Sequence, residues 1–439
     1  MRKLSGVRTP HHKGTWDKPS VLLPVPPEVV IPMSMHIGAP AKPAVAEKDT
    51  VKVGQVIGEA QGFVSSLIHS SVSGTVKSIQ EITGLTGAKT LAVRIAADGE
   101  QAVFEGLSKP SAANRDEFLA AVRNSGAVGL GGAGFPTDVK LKVGDKLDYL
   151  IINGAECEPY VTSDTRTMIE EAGDVWKGIL LLKEYINAEN TVIGIEANKP
   201  EAIEKMRELC GGAQGVAVHM LPSKYPQGGE KVLIYGVTGR AVPEGKLPLD
   251  VGVVVINCTT LAHIAKYFET GMPLVTKRVT VDGTAVRSPG NVIAPIGTPV
   301  SALFDFCGGF VEEPKKILLG GPMMGIAIPD TDMPVTKTTN AALAFGRKEA
   351  EQTAETACIR CGRCVMSCPM KLMPLEVDTA YNLNKPERLE KLRANLCMEC
   401  GCCAYSCPAK RPLTQVMKLS KQALGNYMKT KAKGGEATK

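Results

Sequence analysis

The sequence predicts a multidomain chain of α/β and α+β units that ends in a small helical domain. Three observations carry this. Paired cysteine runs occupy the last quarter, strands alternate with helices through the middle, and Pro, Val and Gly punctuate short strands at the start. At 439 residues the length suits two to four domains, each able to bury a core. An apolar share of 44% with 22% charge fits a globular protein in water. No run of about 18 apolar residues occurs, which argues against a membrane-spanning helix.

Residues 1–105 read as short strands with tight turns. Val51–Ile57 and Thr75–Ile79 are two of them, with Gly54, Gly58 and Gly74 between. The phrase from Gly38 to Ala60, followed by H-S-S-V-S-G-T-V, resembles the flattened barrel of biotinyl and lipoyl carrier domains. In those domains a modified Lys sits in the hairpin between the two halves. That hairpin is here Gly62–His69 and holds no Lys, so no swinging-arm cofactor is expected. His11, His12, His36 and His69 have no paired ligand spacing, and ordinary hydrogen bonds are the expectation for each.

Residues 115–124 have helical spacing, with Phe118, Leu119 and Val122 on one face. The next stretch, Gly126 to Lys140, carries glycines at 129, 131, 132 and 134. Such a loop lets the backbone approach a ligand, and with a helix start behind it its N–H groups suit a phosphate. Lys140 adds a charge there. A plain flexible turn has the same composition. Leu147–Tyr160 then reads as a buried strand ending in a polar, acidic loop, the place where nucleotides bind in open α/β sheets. A helix over 165–185, a strand over 191–196, a helix over 200–209 and a strand over 215–221 follow, implying a doubly wound, mostly parallel sheet. Lys224–Tyr235 brings a second glycine turn with Glu230. Val251–Ala262 reads as a further buried strand, with Asn257 and Thr260 at its mouth.

Residues 276–335 suggest a small α+β module: a hairpin signal from Thr276, a turn into a short helix, then a strand and turn at Lys315–Gly325. Met323 and Met324 suit packing better than metal ligation. Residues 330–350 read as a linker.

Cys358, Cys361, Cys364 and Cys368 make a C-x2-C-x2-C-x3-C-P run, and Cys397, Cys400, Cys403 and Cys407 make a second. In two-cluster proteins the fourth Cys of such a run ligates the other cube. This assigns Cys358, Cys361, Cys364 and Cys407 to one [4Fe–4S] cluster, and Cys397, Cys400, Cys403 and Cys368 to the other. Structural zinc would use the same thiolates without asking for three in a row before Pro. Disulfides suit small secreted domains. Cys402 is an odd thiol beside Cys403. The scattered Cys157, Cys210, Cys258 and Cys307 read as small buried hydrophobes. Helices over 374–384 and 386–395 separate the two runs.

The formal charge of +6 is uneven. From Pro408 onward seven Lys and one Arg face one Glu, while the first 407 residues hold 43 basic and 44 acidic side chains. A basic tail over 426–439 suits an acidic partner or membrane surface, or is a solvated terminus. No aromatic interleaving or nucleic-acid module accompanies it.

The motifs G-L-G-G-A-G-F-P-T-x-x-K, N-G-A-E-C-E-P-Y and K-Y-P-Q-G-G-E-K, with the paired Cys runs, resemble the RnfC family, the C subunits of the Rnf electron transport complex. The glycine-rich part is also similar to the NADH-oxidising flavoprotein subunit of respiratory complex I. The resemblance implies a barrel-sandwich domain over 1–105 and a Rossmann-like FMN and NAD(H) domain over 110–275. It implies a soluble-ligand-binding β-grasp (SLBB) domain over 276–335 and a two-cluster ferredoxin-like domain over 345–425. Gly129, Gly131, Gly132, Gly134 and Lys140 would hold FMN. Asn153 and Glu156 would approach its ribityl or ring side, with Gly228, Asn257 and Thr260. Phe135 would stack on NAD(H), with Glu158 and Glu230 near the nicotinamide ribose. Two features depart from the complex I pattern: its loop Arg is Leu130 here, and the second turn keeps one Glu instead of two.

NAD(H) moves two electrons as hydride, iron–sulfur cubes move one, and flavin converts between them. Hydride transfer needs no protein acid or base, so no catalytic residue is expected. The resemblance implies a peripheral subunit, on the cytoplasmic side of the cell membrane, of a complex coupling ferredoxin and NAD+ to H+ or Na+ transport. Its partners would be integral and peripheral subunits, ferredoxin or another cluster-bearing protein, and NAD(H). Two other readings stay open. One is a soluble relative similar to the cobalamin reductase of propanediol-using microcompartments. The other is a non-enzymatic wiring subunit with a degenerate flavin pocket.

Overall fold

Eight short strands open the chain. They are β1 (Ser20–Leu22), β2 (Glu28–Pro32), β3 (Lys42–Pro43), β4 (Thr50–Val51), β5 (Val56–Glu59), β6 (Ile68–His69), β7 (Gly74–Thr83) and β8 (Lys89–Ala97). The computed structural model describes residues 5–436, apart from 86, 145 and 352 and from the side chains beyond 431. Two small sheets, ordered β2-β8-β7-β4 and β3-β5-β6, face each other over Val29, Ile31, Ile57, Ile68, Val76 and Ile95. Alternation drives this, since β2 reads E-V-V-I-P with Val29 and Ile31 inward. Strand β1 departs from the expectation of a self-contained domain over 1–105. It leaves the barrel and pairs in parallel with a strand near residue 291.

The middle of the chain contains α1 (Arg115–Asn124), α2 (Thr137–Lys140), β9 (Leu147–Gly154), α3 (Ser163–Glu170), α4 (Ala172–Tyr185), β10 (Ala188–Glu196), α5 (Pro200–Cys210), β11 (Val216–Leu221), α6 (Glu230–Thr238), β12 (Val253–Asn257) and α7 (Cys258–Thr270). The four strands form a parallel sheet ordered β11-β10-β9-β12. Near-continuous apolar runs such as L-I-I of β9 follow from helices covering both faces. Two expectations are corrected. The helix over 165–185 is two helices broken at Glu171, where φ is −119° and ψ is 29°. Adjacent carboxylates on one helix face different ways. The break lets Glu170 and Glu171 both reach the Arg278 guanidinium, at 3.1 and 2.6 Å. The strand over 251–262 ends at Asn257. That side chain accepts hydrogen bonds from the Thr259 and Thr260 N–H groups and so starts α7.

A six-stranded sheet follows, built from β13 (Thr276–Asp282), β14 (Gly290–Pro295), β15 (Lys316–Leu319), β16 (Ile326–Ala327) and β17 (Ala341–Phe345), with β1 at its edge. The order is β1-β14-β13-β17-β15-β16, and α8 (Val300–Phe306) packs Leu303 and Phe304 into its core. The linker expected over 330–350 is therefore partly structural. The five residues A-A-L-A-F of β17 are all buried, between β13 and β15.

The C-terminal domain holds α9 (Arg347–Ala350), α10 (Arg363–Ser367), α11 (Pro374–Asn382), α12 (Pro386–Lys391), α13 (Cys402–Tyr405) and α14 (Leu413–Glu436). Its core joins Leu372, Val377 and Leu389 to Met417 and Leu424 of α14. The basic segment expected as a tail thus continues this 24-residue helix through Glu436; residues 437–439 lie outside the described residues. Along it, Lys421 Nζ donates to the Cys397 carbonyl at 3.0 Å, and Lys431 pairs with Glu390 at 3.2 Å.

Candidate functional site

In the parallel sheet the chain runs outward from β9 through β10 to β11, then returns to place β12 on the other side of β9. That reversal is the switch point where open α/β sheets leave a crevice beyond their strand ends. Asn153 and Asn257 stand opposite each other there, in register at the ends of β9 and β12. The glycine-rich loop lies over the same ends.

Helix α7, the barrel and β13 hold that loop. The Leu130 N–H donates to Thr260 Oγ1 at 3.0 Å, and Thr260 Oγ1 donates to the Val128 carbonyl at 3.1 Å. The Leu130 side chain is buried in the barrel core beside Val128. This is the physical reason for an apolar residue at that loop position. Ile37 of the barrel donates its N–H to the Gly134 carbonyl at 2.9 Å. Gly134 has a φ of +67°, and a side chain there would meet Thr338 Cγ2 at 2.9 Å. Gly131, Gly132 and Ala133 remain exposed at the apex. A methyl on Gly131 would stand 2.8 Å from Asn257 Nδ2, so only a bare backbone fits there. Asn340, whose buried Oδ1 has no partner among the described residues, lies with its Nδ2 3.8 Å from the place of a side chain on Gly132. The half-buried Phe135 closes the loop, its carbonyl accepting from the Gly129 N–H at 2.9 Å. A bare loop, a switch-point crevice and an orphaned amide oxygen fit a phosphate-bearing ring ligand such as FMN.

The other expected residues divide into two groups. Asn153 Nδ2 donates to the Gly228 carbonyl at 2.9 Å, joining β9 to the second glycine turn. Lys140 Nζ donates to Glu230 Oε1 at 2.7 Å and to the Val255 carbonyl at 3.0 Å, at the same rim. Glu156 and Glu158 differ from the expectation of a carboxylate facing flavin or nicotinamide. Glu156, at a φ of +47°, accepts from the Asp164 and Thr165 N–H groups at 2.6 and 3.2 Å and so caps α3. Burial pushes its pKa up, against the charge of Lys13. Glu158 accepts from the Met323 and Met324 N–H groups at 3.0 and 2.9 Å and from the Tyr225 hydroxyl at 3.3 Å. It therefore ties the acidic loop to the neighbouring module.

The sequence reading missed Lys13, Asp164 and Lys277 here, whereas His11 and His36 make the ordinary hydrogen bonds expected of them. Lys13 donates to the carbonyls of Glu156, Glu158 and Val161. Burial lowers its pKa to about 8. His12 stacks on Tyr160 with ring centres 4.7 Å apart, and His11 meets Asn198 at 3.3 Å. His36 bonds the Ala39 carbonyl at 3.0 Å. Asp164 accepts from Asn257 Nδ2 at 2.7 Å and from Thr259 Oγ1 at 2.6 Å. Lys277 of β13 donates to the Leu130 carbonyl at 3.0 Å. Basic residues near the start of a chain or a strand read as solvated, and only the tertiary fold buries Lys13 and Lys277.

Beyond the second glycine turn lie two thiol-lined cavities. The inner one is lined by Cys368, Cys397, Cys400 and Cys403, with Met398 and Cys402. The outer one is lined by Cys358, Cys361, Cys364 and Cys407. Each cavity takes three thiols from one run and the fourth from the other. Among the described residues no three His, Cys, Asp or Glu side chains converge as the ligands of one metal ion. The thiols are instead spread round a space, as a four-iron cube requires. Cys402 is fully buried, with its Sγ 4.0 Å from the Tyr225 carbonyl. Cys157 lies near the same joint, accepting from the Gly228 N–H at 3.3 Å, and burial pushes its pKa up to about 12. Cys358 and Cys361 are exposed, and Ile359 beside them is 70% exposed.

Residues 122–266 match the model of the Nuo51 FMN-binding domain, and residues 2–100 that of the RnfC barrel sandwich hybrid domain. Residues 278–327 match the SLBB domain, and residues 357–410 a 4Fe-4S dicluster domain. The chain is 44% identical over 369 residues to the C subunit of the proton-translocating ferredoxin:NAD(+) oxidoreductase complex of Clostridium ljungdahlii, covering 82% of this chain and 80% of that protein. It is 42% identical over 426 residues to the Na(+)-translocating counterpart of Acetobacterium woodii, covering 95% and 96%. It is 41% identical over 417 residues to the C subunit of the ion-translocating oxidoreductase complex of Rhodobacter capsulatus, covering 93% and 80%. Among solved structures, a chain of an NAD+-reducing [NiFe]-hydrogenase in the air-oxidised state superposes with a TM-score of 0.52 at 19% identity, covering 72% of this chain. The match spans 64% of the hydrogenase chain, under two thirds of its length, and the likeness is one of fold. By the identities and coverage of these relatives, the chain belongs to the RnfC family, the C subunits of ion-translocating ferredoxin:NAD+ oxidoreductase complexes.

Proposed function

We propose that the chain passes electrons between NAD(H), FMN and two [4Fe–4S] clusters, as a peripheral member of an ion-translocating ferredoxin:NAD+ oxidoreductase complex. When bound, FMN exchanges hydride with NAD(H) and single electrons with the clusters. The chain's own residues bind and orient. The Gly131 N–H, with Lys140, would hold the flavin phosphate, and Gly129, Gly132 and Gly134, whose N–H groups bond carbonyls within the loop, would bring bare backbone against the flavin. Asn153, Asn257, Thr260 and Gly228 would shape the crevice around the rest of the flavin. Phe135 would stack on NAD(H) at the crevice mouth, with Glu230 at the rim.

The observation that carries this reading is the contact between the flavin side and the inner cavity. The turn at Gly228 and Gly229 closes the crevice, and Gly229 packs against Met398, which lines the inner cavity. We assign Cys368, Cys397, Cys400 and Cys403 to the cluster nearer the flavin. Cys358, Cys361, Cys364 and Cys407 then hold the cluster that faces the next electron carrier, ferredoxin or a cluster-bearing partner. Among the described residues no helix is long and apolar enough to cross a membrane. Under this reading the chain sits on the cytoplasmic side and integral subunits carry the ion. The relatives' names favour this over the cobalamin reductase and wiring readings that the motifs left open.

Anaerobic purification with iron, sulfide and flavin analysis tests it. About eight irons, about one FMN and bleaching of both chromophores by NADH are expected. Eight irons without flavin, and no bleaching, would sink the dehydrogenase reading.

A further inference from the structure

We propose that Lys277 is a positioning residue for the flavin: it pins the glycine-rich loop from behind and places a fixed positive charge beside the bound ring system. The proposal rests on the flavin reading above and deepens it. Between Gly129 and Thr137 the loop carries no charged side chain. The charge comes instead from β13, in a different module. Lys277 is 3% exposed, and its Nζ donates to the Leu130 carbonyl at 3.0 Å.

An ammonium offers three hydrogens, and burying one is costly unless it is paired. The nearby carboxylates are already engaged. Asp164 accepts from Asn257 and Thr259, and Glu156 accepts from the start of α3. Arg278, the next residue, takes Glu170 and Glu171. Lys277 therefore has, among the described residues, one hydrogen-bond acceptor and no close carboxylate of its own. Burial lowers its pKa to about 8, against the attraction of Asp164. An electron-rich ligand in the crevice supplies the missing compensation.

Two effects follow. The Leu130 peptide is held from both sides, by Thr260 on its N–H and by Lys277 on its carbonyl. That fixes the direction of the next N–H group in the loop, that of Gly131, while the Gly132 N–H is donated to the Gly129 carbonyl at 3.3 Å. The buried charge also favours added electron density on the flavin, which raises its reduction potential.

The test compares Lys277→Met, Lys277→Gln and Lys277→Arg with wild type in the full, cluster-loaded chain. Readouts are the FMN dissociation constant by flavin fluorescence and the flavin reduction potential by dye-equilibrated titration. Met is expected to weaken FMN about tenfold or more and to lower the potential. Gln, which keeps a neutral N–H donor, is expected to recover most of the affinity and none of the potential. Arg, which keeps the charge, is expected to recover the potential. Wild-type affinity and potential in both Met and Gln variants would overturn the proposal. So would a loss of thermal stability in all three variants with the potential unchanged, which marks a purely structural lysine. If wild type itself bound no FMN, the flavin reading would fail first and take this proposal with it.

Discussion

Gly229 and Met398 meet at the joint between the second glycine turn and the inner thiol cavity: a methyl group on Gly229 would collide with Met398 Cε. One residue belongs to the parallel-sheet domain and the other to the cysteine-rich domain. A glycine here lets the two domains close without a side chain between them. Met398 also lines the cavity formed by Cys368, Cys397, Cys400 and Cys403.

Gly229→Val should therefore spread this joint. A methionine tip can swing aside for a single methyl, and a branched side chain asks for more. Iron and FMN contents should stay near wild type. NADH should still bleach the flavin, while cluster reduction slows about tenfold or more in stopped flow. Normal cluster reduction in this variant would mean that electrons do not cross here.

The two cavities predict which cysteines act together. Cys407→Ser removes a ligand from the cavity of Cys358, Cys361 and Cys364, although Cys407 belongs to the second sequence run. The variant should keep about four irons, and its remaining paramagnetic signal should match that of Cys361→Ser. A signal matching Cys397→Ser would reverse the pairing. Cys402→Ala should keep about eight irons, because its thiol is turned toward the Tyr225 carbonyl.

Gly131→Ala should weaken FMN by about tenfold or more, because the new methyl meets Asn257 Nδ2 at 2.8 Å. Asn257 cannot yield easily. Its Oδ1 caps α7 and its Nδ2 donates to Asp164. Iron content should not change. An unaltered FMN dissociation constant would place the flavin elsewhere.

Much of this was legible in the residues. The period-3.6 and apolar-run patterns gave the alternation around β9 to β12, and thiol spacing gave the cross-paired cysteine sets. The glycines of the loop stand before a short helix, as their sequence suggested, and the fold then lays them over the ends of β9 and β12. Long-range engagement of single side chains was not legible. Nothing local shows that Glu156 turns inward to cap α3, or that Lys13 reaches the Glu156 carbonyl 143 residues away. The helix break at Glu171 answers to Arg278, and the β17 strand was hidden because A-A-L-A-F is short and weakly patterned. The basic tail over 426–439 showed its charge and not its helix, because Leu413, Met417 and Leu424, which bury that helix, lie before it.

A buried cluster at the meeting of three domains predicts how stability depends on pH. Lys337, fully buried, donates to the Leu67 carbonyl at 2.6 Å, the Gly126 carbonyl at 2.8 Å and Ser66 Oγ at 3.2 Å. His36, His69 and His263 surround it. Burial, reinforced by the Lys337 charge, lowers their pKa values to about 4, 3 and 4. Between pH 4 and 6.5 each histidine binds more protons unfolded than folded. The folded state is therefore favoured fully above about pH 6.5 and loses that advantage as pH falls through the window. Burial also lowers the Lys337 pKa to about 7, so stability should rise again as pH climbs from 7 toward 10.5. Urea midpoints followed by tryptophan fluorescence should fall on acidification below about pH 6.5. His69→Gln should flatten that slope, because His69 is enclosed and its Nδ1 has no partner among the described residues. Lys337→Met should flatten the alkaline rise while lowering stability at every pH, since it strips two carbonyls of their donor. Midpoints that stay level from about pH 4.5 to 6.5 in wild type would show that this cluster takes up its protons without unfolding.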